Sequence, residues 1–309
     1  MTATLLSTDP VLAAFAEEVG ESGPIAIVGG RTRWENGGAL VDGTRTIAAP
    51  SGIVEYIAEE MIVKVRAGTS VAELHASLAE RGQVTALPER GGTVGGAVAV
   101  GQNGVLRPMR GETRSAVLQV RYVSAEGKIV TGGGPTVKNV SGFDIPRLMT
   151  GSLGTLGCIA EVILRTNPMP AQTRWFASND ADPFAVHRSL LAPGPILFDG
   201  STTTVMVFGH APAVTEDVMM LRTLGTFTEC EPPPDATGHR WSLSPRDLQT
   251  LDVAAVGAFV AEIGVGIVHA SNPQPPTPLA PDVRVIHDRM KAEFDPPGRL
   301  NPGRVVGLR

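Results

Sequence analysis

Four glycine-rich stretches are the part of this sequence best suited to bind a ligand. They read GGRTR at 29–33, GGTVGGAVAVGQNG at 91–104, KNVSGFD at 138–144 and RLMTGSLGTLGCI at 147–159. Glycine lets main chain approach a ligand closely, and a glycine turn can aim several backbone N–H groups at one anion. Anion or ring binding is therefore one interpretation of these stretches, and ordinary turns between elements are the other.

The residues around the glycines separate these interpretations only in part. Arg31 and Arg33 add charge to the first stretch, and Thr32 adds a hydroxyl donor. The second stretch carries valines but no charged residue before Arg107. It is therefore predicted to be a strand-free apolar loop that wraps a flat ring. Neither a Walker A sequence nor GxGxxG occurs, which argues against a P-loop NTPase and an NAD-binding Rossmann unit.

Length and composition limit the class of protein. The chain has 309 residues, is 42% hydrophobic and carries a net charge of −5. This length predicts two domains, or one large domain with an insertion. The acidic balance argues against a nucleic-acid partner. No apolar run approaches the ~20 residues of a membrane span, and the N-terminus lacks the basic region of a signal peptide, so a cytoplasmic protein is predicted.

The two cysteines, Cys158 and Cys230, stand in no metal-ligand spacing. Neither a zinc site nor an iron–sulfur cluster is therefore predicted. Both residues are interpreted as reduced, buried small hydrophobic side chains rather than as a disulfide.

Local patterns predict mixed helices and strands over the first 170 residues. Asp9 and Gly20 are expected to bound a first helix, and a capping box of Ser70 and Glu73 begins another that ends at Gly82. Strands are predicted at 25–28, at 61–66, in a hairpin over 117–134 and at 156–168.

The pattern weakens after residue 170. Residues 171–280 carry proline clusters and are predicted to form a second, smaller α+β unit, with a strand near 201–210 and a helix near 212–225. The tail, residues 281–309, begins with a helix that is expected to present Val283, Ile286 and Met290 on one apolar face.

The order of the four stretches resembles the FAD-binding domain of the vanillyl-alcohol oxidase / p-cresol methylhydroxylase flavoprotein superfamily, and within it the glycolate oxidase FAD-binding subunits. The resembling segments are VGGRTRWENGG, VRAGTSVAELHASLAERGQ, GGTVGGAVAVGQNGVLRP, VKNVSGFDIPRLMTGSLGTLGCIAEVILR and MKAEFDPPGRLNPGRV. The resemblance implies an α+β chain. A two-part α/β FAD-binding domain of the p-cresol methylhydroxylase type would span 1–170, a small α+β cap domain 171–280, and a returning C-terminal segment 281–309.

The resemblance also implies which residues bind the cofactor, FAD. Residues 29–33 are expected to cradle its pyrophosphate, Thr93, Gly95 and Gly96 to line the flavin, and Ile159 to face the adenine end. Thr32 stands where many relatives carry a histidine that tethers FAD, so non-covalent FAD is expected. The full expected set is Gly29, Gly30, Arg31, Thr32, Arg33, Thr93, Gly95, Gly96, Gly142, Asp144, Gly154, Gly157, Ile159 and Asn301.

The activity that the resemblance implies is FAD-dependent oxidation of a small 2-hydroxy acid, such as glycolate, to its 2-oxo acid. Arg107 and Arg110 are candidates to hold the substrate carboxylate. No residue is identified as catalytic. The histidine-rich motif of the related catalytic subunits is missing, because the six histidines here are scattered, so no metal site is expected.

A larger FAD-linked oxidase subunit and an iron–sulfur subunit are the partners that the resemblance implies. Two alternatives stay open. The chain could be a non-catalytic flavin-binding assembly subunit that stabilises a larger catalytic flavoprotein, or a free-standing FAD-linked alcohol oxidase, since a fold does not by itself choose a function.

Overall fold

The computed structural model describes residues 9–135, 143–234, 236–276 and 278–307. Helices in these ranges are α1 Pro10–Val19, α2 Val71–Ala79, α3 Val94–Val100, α4 Arg107–Arg110, α5 Thr113–Ala116, α6 Ile145–Met149, α7 Pro183–Ser189, α8 Ala211–Leu224, α9 Pro245–Gln249, α10 Val253–Val256 and α11 Pro281–Phe294. Not one of these helices is both long and apolar enough to cross a membrane.

The strands of the same ranges are β1 Ile25–Ile27, β2 Arg45–Ile47, β3 Ile53–Ile57, β4 Ile62–Arg66, β5 Gln83–Val84, β6 Val117–Val123, β7 Ile129–Gly133, β8 Cys158–Arg165, β9 Asn167–Pro168, β10 Gln172–Ser178, β11 Ile196–Phe198, β12 Thr203–Gly209, β13 Thr228–Cys230, β14 His239–Ser242, β15 Phe259–Glu262 and β16 Ile267–Ala270. The predicted hairpin is formed by β6 and β7, which pair antiparallel.

The described residues divide into two compact units. Unit 1 takes its residues from Met1–Gly104, Arg110–Pro168 and Pro278–Leu308, and unit 2 takes its residues from Val105–Met109 and Met169–Thr277. The short segment Val105–Met109 belongs with unit 2 because its apolar side chains pack against Trp175, Leu197 and Met206. The sequence analysis had grouped this segment with residues 1–170.

Unit 1 is built on a five-stranded antiparallel sheet in the order β3-β4-β8-β6-β7. Helices α2 and α3 pack on one face, and α1 packs on the other. The central strand β8 is buried on both faces from Cys158 to Leu164. This position explains why its sequence is almost uninterrupted in apolar residues instead of alternating with polar ones.

The predicted helix starts in unit 1 are confirmed. Asp9 caps α1 by accepting from the backbone N–H groups of Val11 and Leu12, and α1 ends before Gly20. The Ser70 hydroxyl caps α2 by accepting from the N–H of Glu73 at 3.0 Å. Both caps satisfy N–H groups that a helix leaves unpaired at its first turn.

The prediction of a strand-free loop in the second glycine stretch is wrong, because residues 94–100 form helix α3. Thr93 caps this helix, and its hydroxyl accepts from the N–H of Gly96 at 3.2 Å. Val94 and Val98 are one turn apart and fully buried in the core. Burial of this apolar face outweighs the poor helix propensity of the two glycines.

Arg299 ties the C-terminal segment to the rest of unit 1. It is 4% exposed, and its guanidinium donates to the backbone carbonyls of Val19, Gly20, Ser22, Gly23 and Ala125. The next residue, Leu300, is fully buried and bridges to Ile25 at the start of β1. The segment therefore fixes the position of the strand that precedes the first glycine stretch.

The predicted apolar face of the tail helix α11 is exposed to solvent. Val283 is 37% exposed and Ile286 is 56% exposed, and α11 has no buried residue. The prediction of a helix is confirmed; Met290 is half-buried, and Phe294 at the end of α11 packs against the unit 1 core.

A buried charge cluster crosses the centre of the unit 1 sheet. Glu161 of β8 is 1% exposed, and its two oxygens lie 2.7 Å from Arg66 Nη1 of β4 and 3.4 Å from Arg121 Nη1 of β6. Arg66 also donates to Asp9, the cap of α1. The cluster thus joins three strands and the start of a helix.

Unit 2 consists of a seven-stranded antiparallel sheet, in the order β13-β10-β12-β11-β15-β16-β14, together with helices. Val214 and Leu221 of α8 and Val186 of α7 pack on one face of this sheet. On the strands, Glu262 Oε1 lies 2.7 Å from His269 Nε2, and both side chains are buried. The strand predicted near 201–210 and the helix predicted near 212–225 are confirmed as β12 and α8.

The Glu161 cluster predicts a large loss of stability when its carboxylate is removed. Glu161→Gln leaves two guanidinium groups without their buried counter-charge, which is expected to lower the free energy of unfolding by about 3–5 kcal/mol. Hydrogen exchange of peptides from β4, β6 and β8 measures the loss. Glu126→Gln, which breaks the exposed pair with Lys128, is the matched control and should leave that exchange unchanged. Equal exchange in both variants would contradict a stabilising role for Glu161.

Candidate functional site

Three of the four glycine stretches converge on one groove within unit 1. The groove has about 870 Å³ of space between its walls, a volume that includes part of the open solvent. Its walls come from residues 27–36, from 67–68, from the start of α3, from residues 153–159 and from the tail. The stretches that are far apart in sequence are therefore neighbours in the fold.

The first and second stretches meet main chain to main chain. A Cβ on Gly30 would lie 2.8 Å from the Cα of Gly92. The close approach of the two loops therefore leaves no room for a side chain at Gly30. A Cβ on Gly95 would lie 2.7 Å from the Cβ of Ala67, and the N–H of Gly95 donates to the Ala67 carbonyl at 2.8 Å. These contacts hold the N-terminus of α3 against β4 and the first loop.

The last stretch and the tail close the other side. The N–H of Leu153 donates to the Ala99 carbonyl at 2.8 Å, which joins the stretch to the end of α3. The Asn301 side-chain amide donates to the Leu153 carbonyl at 2.6 Å. Lys291 of α11 donates to the Thr155 carbonyl at 2.8 Å. The position of residues 153–155 is thus set by the tail as well as by α3.

Packing within the chain explains the regular glycines of the last stretch. Gly154 has a φ of +70°, and a Cβ there would collide with the amide group of Asn301. A Cβ on Gly157 would collide with the ring of Tyr122. Both glycines line the groove, but the space that their missing side chains leave is taken by the protein itself.

Gly96 differs from these glycines. Its missing Cβ would meet one neighbour, the Thr93 hydroxyl at 3.2 Å, and its backbone has an ordinary helical conformation. A side chain at this position would therefore extend into the groove rather than into the core.

The groove carries positive charge. Arg31, Arg33 and Arg304 line it, and no Asp or Glu is present among the described residues of its lining. Arg31 and Arg304 lie over the ring of Trp34, at 5.4 Å and 4.8 Å from its centroid. Burial lowers the pKa of Arg304, against the opposing effect of Glu35. Burial also lowers the pKa of Arg33, and the neighbouring charge of Arg90 adds to this effect.

The loop before the second stretch is fixed by an ion-pair network around Glu89. Glu89 Oε1 lies 3.0 Å from His75 Nδ1 of α2 and 2.7 Å from Arg110 Nη1. His75 Nε2 lies 2.9 Å from the Thr85 hydroxyl. The hydrogen bond from His75 lowers the pKa of Glu89 most, burial opposes it, and Arg110 lowers it further, to about 2.

The structure brings twelve of the fourteen expected cofactor residues into the groove. They are Gly29, Gly30, Arg31, Thr32, Arg33, Thr93, Gly95, Gly96, Gly154, Gly157, Ile159 and Asn301. Gly142 lies outside the described residues. Asp144 caps α6, pairs with Arg147 at 3.2 Å and is not part of the described lining. The role of all fourteen in binding stays a prediction.

The two expected substrate residues fall in different units. Arg110 belongs to unit 1, where Glu89 binds its guanidinium and its carbonyl accepts from the Asn167 amide at 2.9 Å. Arg107 belongs to the segment that lies with unit 2. Their contact with a substrate stays a prediction.

Sequence reasoning missed Trp34 and Arg304, although both line the groove. Each stands within a segment that the resemblance had identified, three residues or fewer from an expected site residue. The signal available in the sequence was a tryptophan close to two arginines, in a chain with only 5% aromatic residues. The described residues hold no group of three or more His, Cys, Asp and Glu side chains that could bind a metal ion.

Comparison with known proteins shows which families this chain is similar to. Residues 4–133 match the sequence model of a family described as FAD binding domain. Glycolate oxidase subunit GlcE of Escherichia coli (strain K12) is 34% identical over 158 residues, which cover 50% of this chain and 45% of that protein. D-2-hydroxyglutarate dehydrogenase of Xanthomonas citri pv. viticola is 31% identical over 154 residues, 47% of this chain and 33% of that protein. The chain thus spans less than half the length of these curated relatives.

A solved structure shows the fold. Alkyldihydroxyacetonephosphate synthase superposes with a TM-score of 0.65 and 14% identity, over 94% of this chain and 73% of that one. Over residues 4–133 this chain therefore resembles an FAD-binding domain in sequence, and its fold is similar to that of the synthase. The resemblance to the p-cresol methylhydroxylase flavoprotein superfamily and the α+β fold class predicted from the sequence are both confirmed.

Glu89 predicts an acid-dependent contribution to stability. Its pKa in the folded chain is lowered from 4.5 to about 2, so its contribution is complete above about 4.5 and is lost as the pH falls towards 2. The difference in unfolding free energy between the natural chain and Glu89→Gln should therefore shrink over this window. Urea unfolding at a series of pH values measures it. A difference that stays constant with pH would rule out the pKa shift.

Gly96 gives a direct test of the groove as the flavin-binding surface. Gly96→Val fills groove space without a core collision, and it should weaken FAD binding by about 10-fold or more, or ~1.4 kcal/mol. Titration of the FAD-free chain with FAD, followed by flavin fluorescence, measures the affinity. Gly134→Val is the matched control, because Gly134 is outside the groove and has no heavy atom within 4 Å of its added Cβ. Unchanged FAD affinity in Gly96→Val would remove this groove from the binding site.

Proposed function

We propose that this chain is the FAD-binding subunit of a glycolate-oxidase-type complex, which oxidises a small 2-hydroxy acid to its 2-oxo acid. The groove carries the proposal. It combines eight glycines, three arginines and no carboxylate among its described lining residues. The part of its wall between residues 27 and 100 lies within the segment that matches an FAD-binding domain. FAD is a long molecule with two phosphates, so such a groove fits it in shape and in charge. When bound, FAD supplies an acceptor for the hydride that leaves the hydroxy acid.

Specific residues of the groove have proposed roles towards FAD. Backbone N–H groups of residues 29–33 and the charges of Arg31 and Arg33 would bind the pyrophosphate, as at other glycine-rich anion sites. Thr93, Gly95 and Gly96 would lie against the flavin, and Ile159 near the adenine. Asn301 would hold residues 153–154 in place from the tail. Each of these residues lies in the groove wall.

Non-covalent attachment is part of the proposal. Thr32 lies in the wall of the groove beside Gly92, whose added Cβ would come within 2.8 Å of the Thr32 hydroxyl. A threonine hydroxyl is far less nucleophilic than the histidine that tethers FAD in many members of the superfamily. Acid precipitation is therefore expected to release the flavin into the supernatant.

The substrate class is supported by the names of the similar proteins, which are a glycolate oxidase subunit and a D-2-hydroxyglutarate dehydrogenase. Arg107 and Arg110 remain the proposed carboxylate-binding residues. Cytoplasmic location is also part of the proposal.

A complex with a larger FAD-linked oxidase subunit and an iron–sulfur subunit is proposed on two grounds. The similar protein GlcE is named as a subunit. The whole sequence has two cysteines, whereas an iron–sulfur cluster is usually held by four cysteine thiolates, so electrons must leave this chain by another path. Both cysteines are reduced, and Cys158 is buried.

A second function is supported by the histidines. His75 and His269 are both bound within the chain, to Glu89 and to Glu262, so these two are already used by structural contacts. A flavin-binding subunit that stabilises a catalytic partner and does not itself turn over substrate would fit this arrangement. A free-standing FAD-linked alcohol oxidase is the third candidate.

One experiment separates these functions. The full chain is purified, its flavin is identified, and glycolate or D-lactate is added without oxygen. Loss of the visible absorbance of oxidised flavin is expected if this subunit oxidises the acid. Bound flavin that stays oxidised, both alone and with the larger subunit restored, would sink the catalytic role and leave the assembly role. A chain that binds no FAD under any condition would end the proposal itself.

A further inference from the structure

Two arginines at one end of the groove have charge that the described chain does not neutralise. Arg33 is the last residue of the first glycine stretch, and Arg90 directly precedes the second. Nη1 of Arg33 lies 3.8 Å from the position that a Cβ on Gly92 would take, two residues after Arg90. The charge of Arg90 is close enough to act on Arg33. The two arginines therefore lie on neighbouring loops, near the point where these loops meet.

Each of the two guanidinium groups has one nitrogen whose N–H donors are not used in a hydrogen bond with the described residues. Nη2 of Arg33 and Nη2 of Arg90 are shielded from solvent, and neither has a hydrogen-bond partner among the described residues. A buried donor without a partner costs free energy, and the cost is larger when the donor is charged. Two like charges in proximity add repulsion to this cost.

The acidic residue next to Arg90 in the sequence is bound by other side chains. Glu89 precedes Arg90, but its Oε1 is bound by His75 and Arg110. This network fixes the loop on one side of Arg90. In contrast, the buried Arg66 and Arg299 of the same unit have a carboxylate or several carbonyls as acceptors. Buried nitrogens without a partner also occur in Arg66, Arg110 and Arg165. Arg66 and Arg110, however, each form an ion pair with a glutamate, which the described residues do not provide for Arg33 or Arg90.

We propose that Arg33 and Arg90 together bind one oxyanion, a phosphate or a carboxylate, at the point where the first and second glycine stretches meet. A guanidinium group offers a planar fork of N–H donors that fits two oxygens of either anion. Gly92 has no side chain to occupy the space between Thr32 and Arg33. Arg90 was not among the residues expected from the sequence.

The inference rests on the proposed function for the source of the anion. One source is the pyrophosphate of FAD, which lies against residues 29–33 in that proposal. The other is the carboxylate of the 2-hydroxy acid. The chemistry of recognition is the same for both, so the experiment has one arm for each.

The test compares Arg33→Gln, Arg90→Gln and Arg90→Lys with the natural chain and with Arg81→Gln. Arg81 is the matched control because its side chain is 57% exposed and its partner is the exposed Glu59. Circular dichroism first establishes that each variant folds. Melting temperatures of the FAD-free chain are then measured with inorganic pyrophosphate and with oxalate. FAD and riboflavin affinities are measured by flavin fluorescence.

Each glutamine variant should lose about 10-fold to 100-fold in affinity for the anion that the pair binds, because a hydrogen bond to a charged group is lost. Arg90→Lys should retain part of the affinity, and Arg81→Gln should retain all of it. Weaker binding of pyrophosphate and FAD, with riboflavin unchanged, identifies the phosphate. Weaker binding of oxalate alone identifies the carboxylate.

Unchanged binding of all four probes in both glutamine variants would overturn the pair as an anion site, while flavin binding by the natural chain would keep the proposed function intact. A different combination of results would support the anion site and contradict the proposed function. If the natural chain binds pyrophosphate or oxalate through Arg33 and Arg90 but binds no flavin, the anion site stands and the proposed function fails.

Discussion

Main chain packs directly on main chain where the glycine stretches of unit 1 meet, and the groove depends on this close approach. A side chain on Gly30 would collide with Gly92, and a side chain on Gly95 would press on Ala67. At the far end of α3, a Cβ on Gly101 would lie 2.8 Å from the N of Gly151. The glycines therefore act first on the protein itself: they let separated loops come together, and the groove is the space that these loops enclose.

The charged groups of unit 1 fall into two groups. Some are compensated by other groups of the protein, and the arginines of the groove are not paired with a carboxylate of its described lining. Glu161 is matched by arginines on both neighbouring strands, and Arg299 is matched by backbone carbonyls, so these groups are complete within the fold. The arginines of the groove face a lining without described carboxylates, although the chain as a whole is acidic. In a chain of negative net charge, a local positive electrostatic potential favours the binding of an anionic ligand.

The C-terminal segment contributes both to the packing of the glycine stretches and to the charge of the groove. Arg299 and Leu300 fix it beside β1, and Asn301 then reaches the backbone of the last glycine stretch. Arg304 follows in the same turn and places its charge over Trp34. A segment that is remote in sequence thus contributes both the packing that shapes the groove and part of its charge, which links the stability of unit 1 to the geometry of the site.

The sequence by itself determined most of the local elements of unit 1 and the glycine stretches that line the groove. Caps such as Asp9 and Ser70 act within a few residues, and the glycine motifs are recognisable in fixed spacing, so neither needs knowledge of the fold. Tertiary structure decided the rest. Helix α3 replaced the expected loop because its valines are buried, and only the structure showed that Val283 and Ile286 of α11 are exposed. Only the fold brought Arg304 to Trp34 and Arg90 to Arg33, because contacts between distant segments depend on how the chain packs and leave no trace in local spacing.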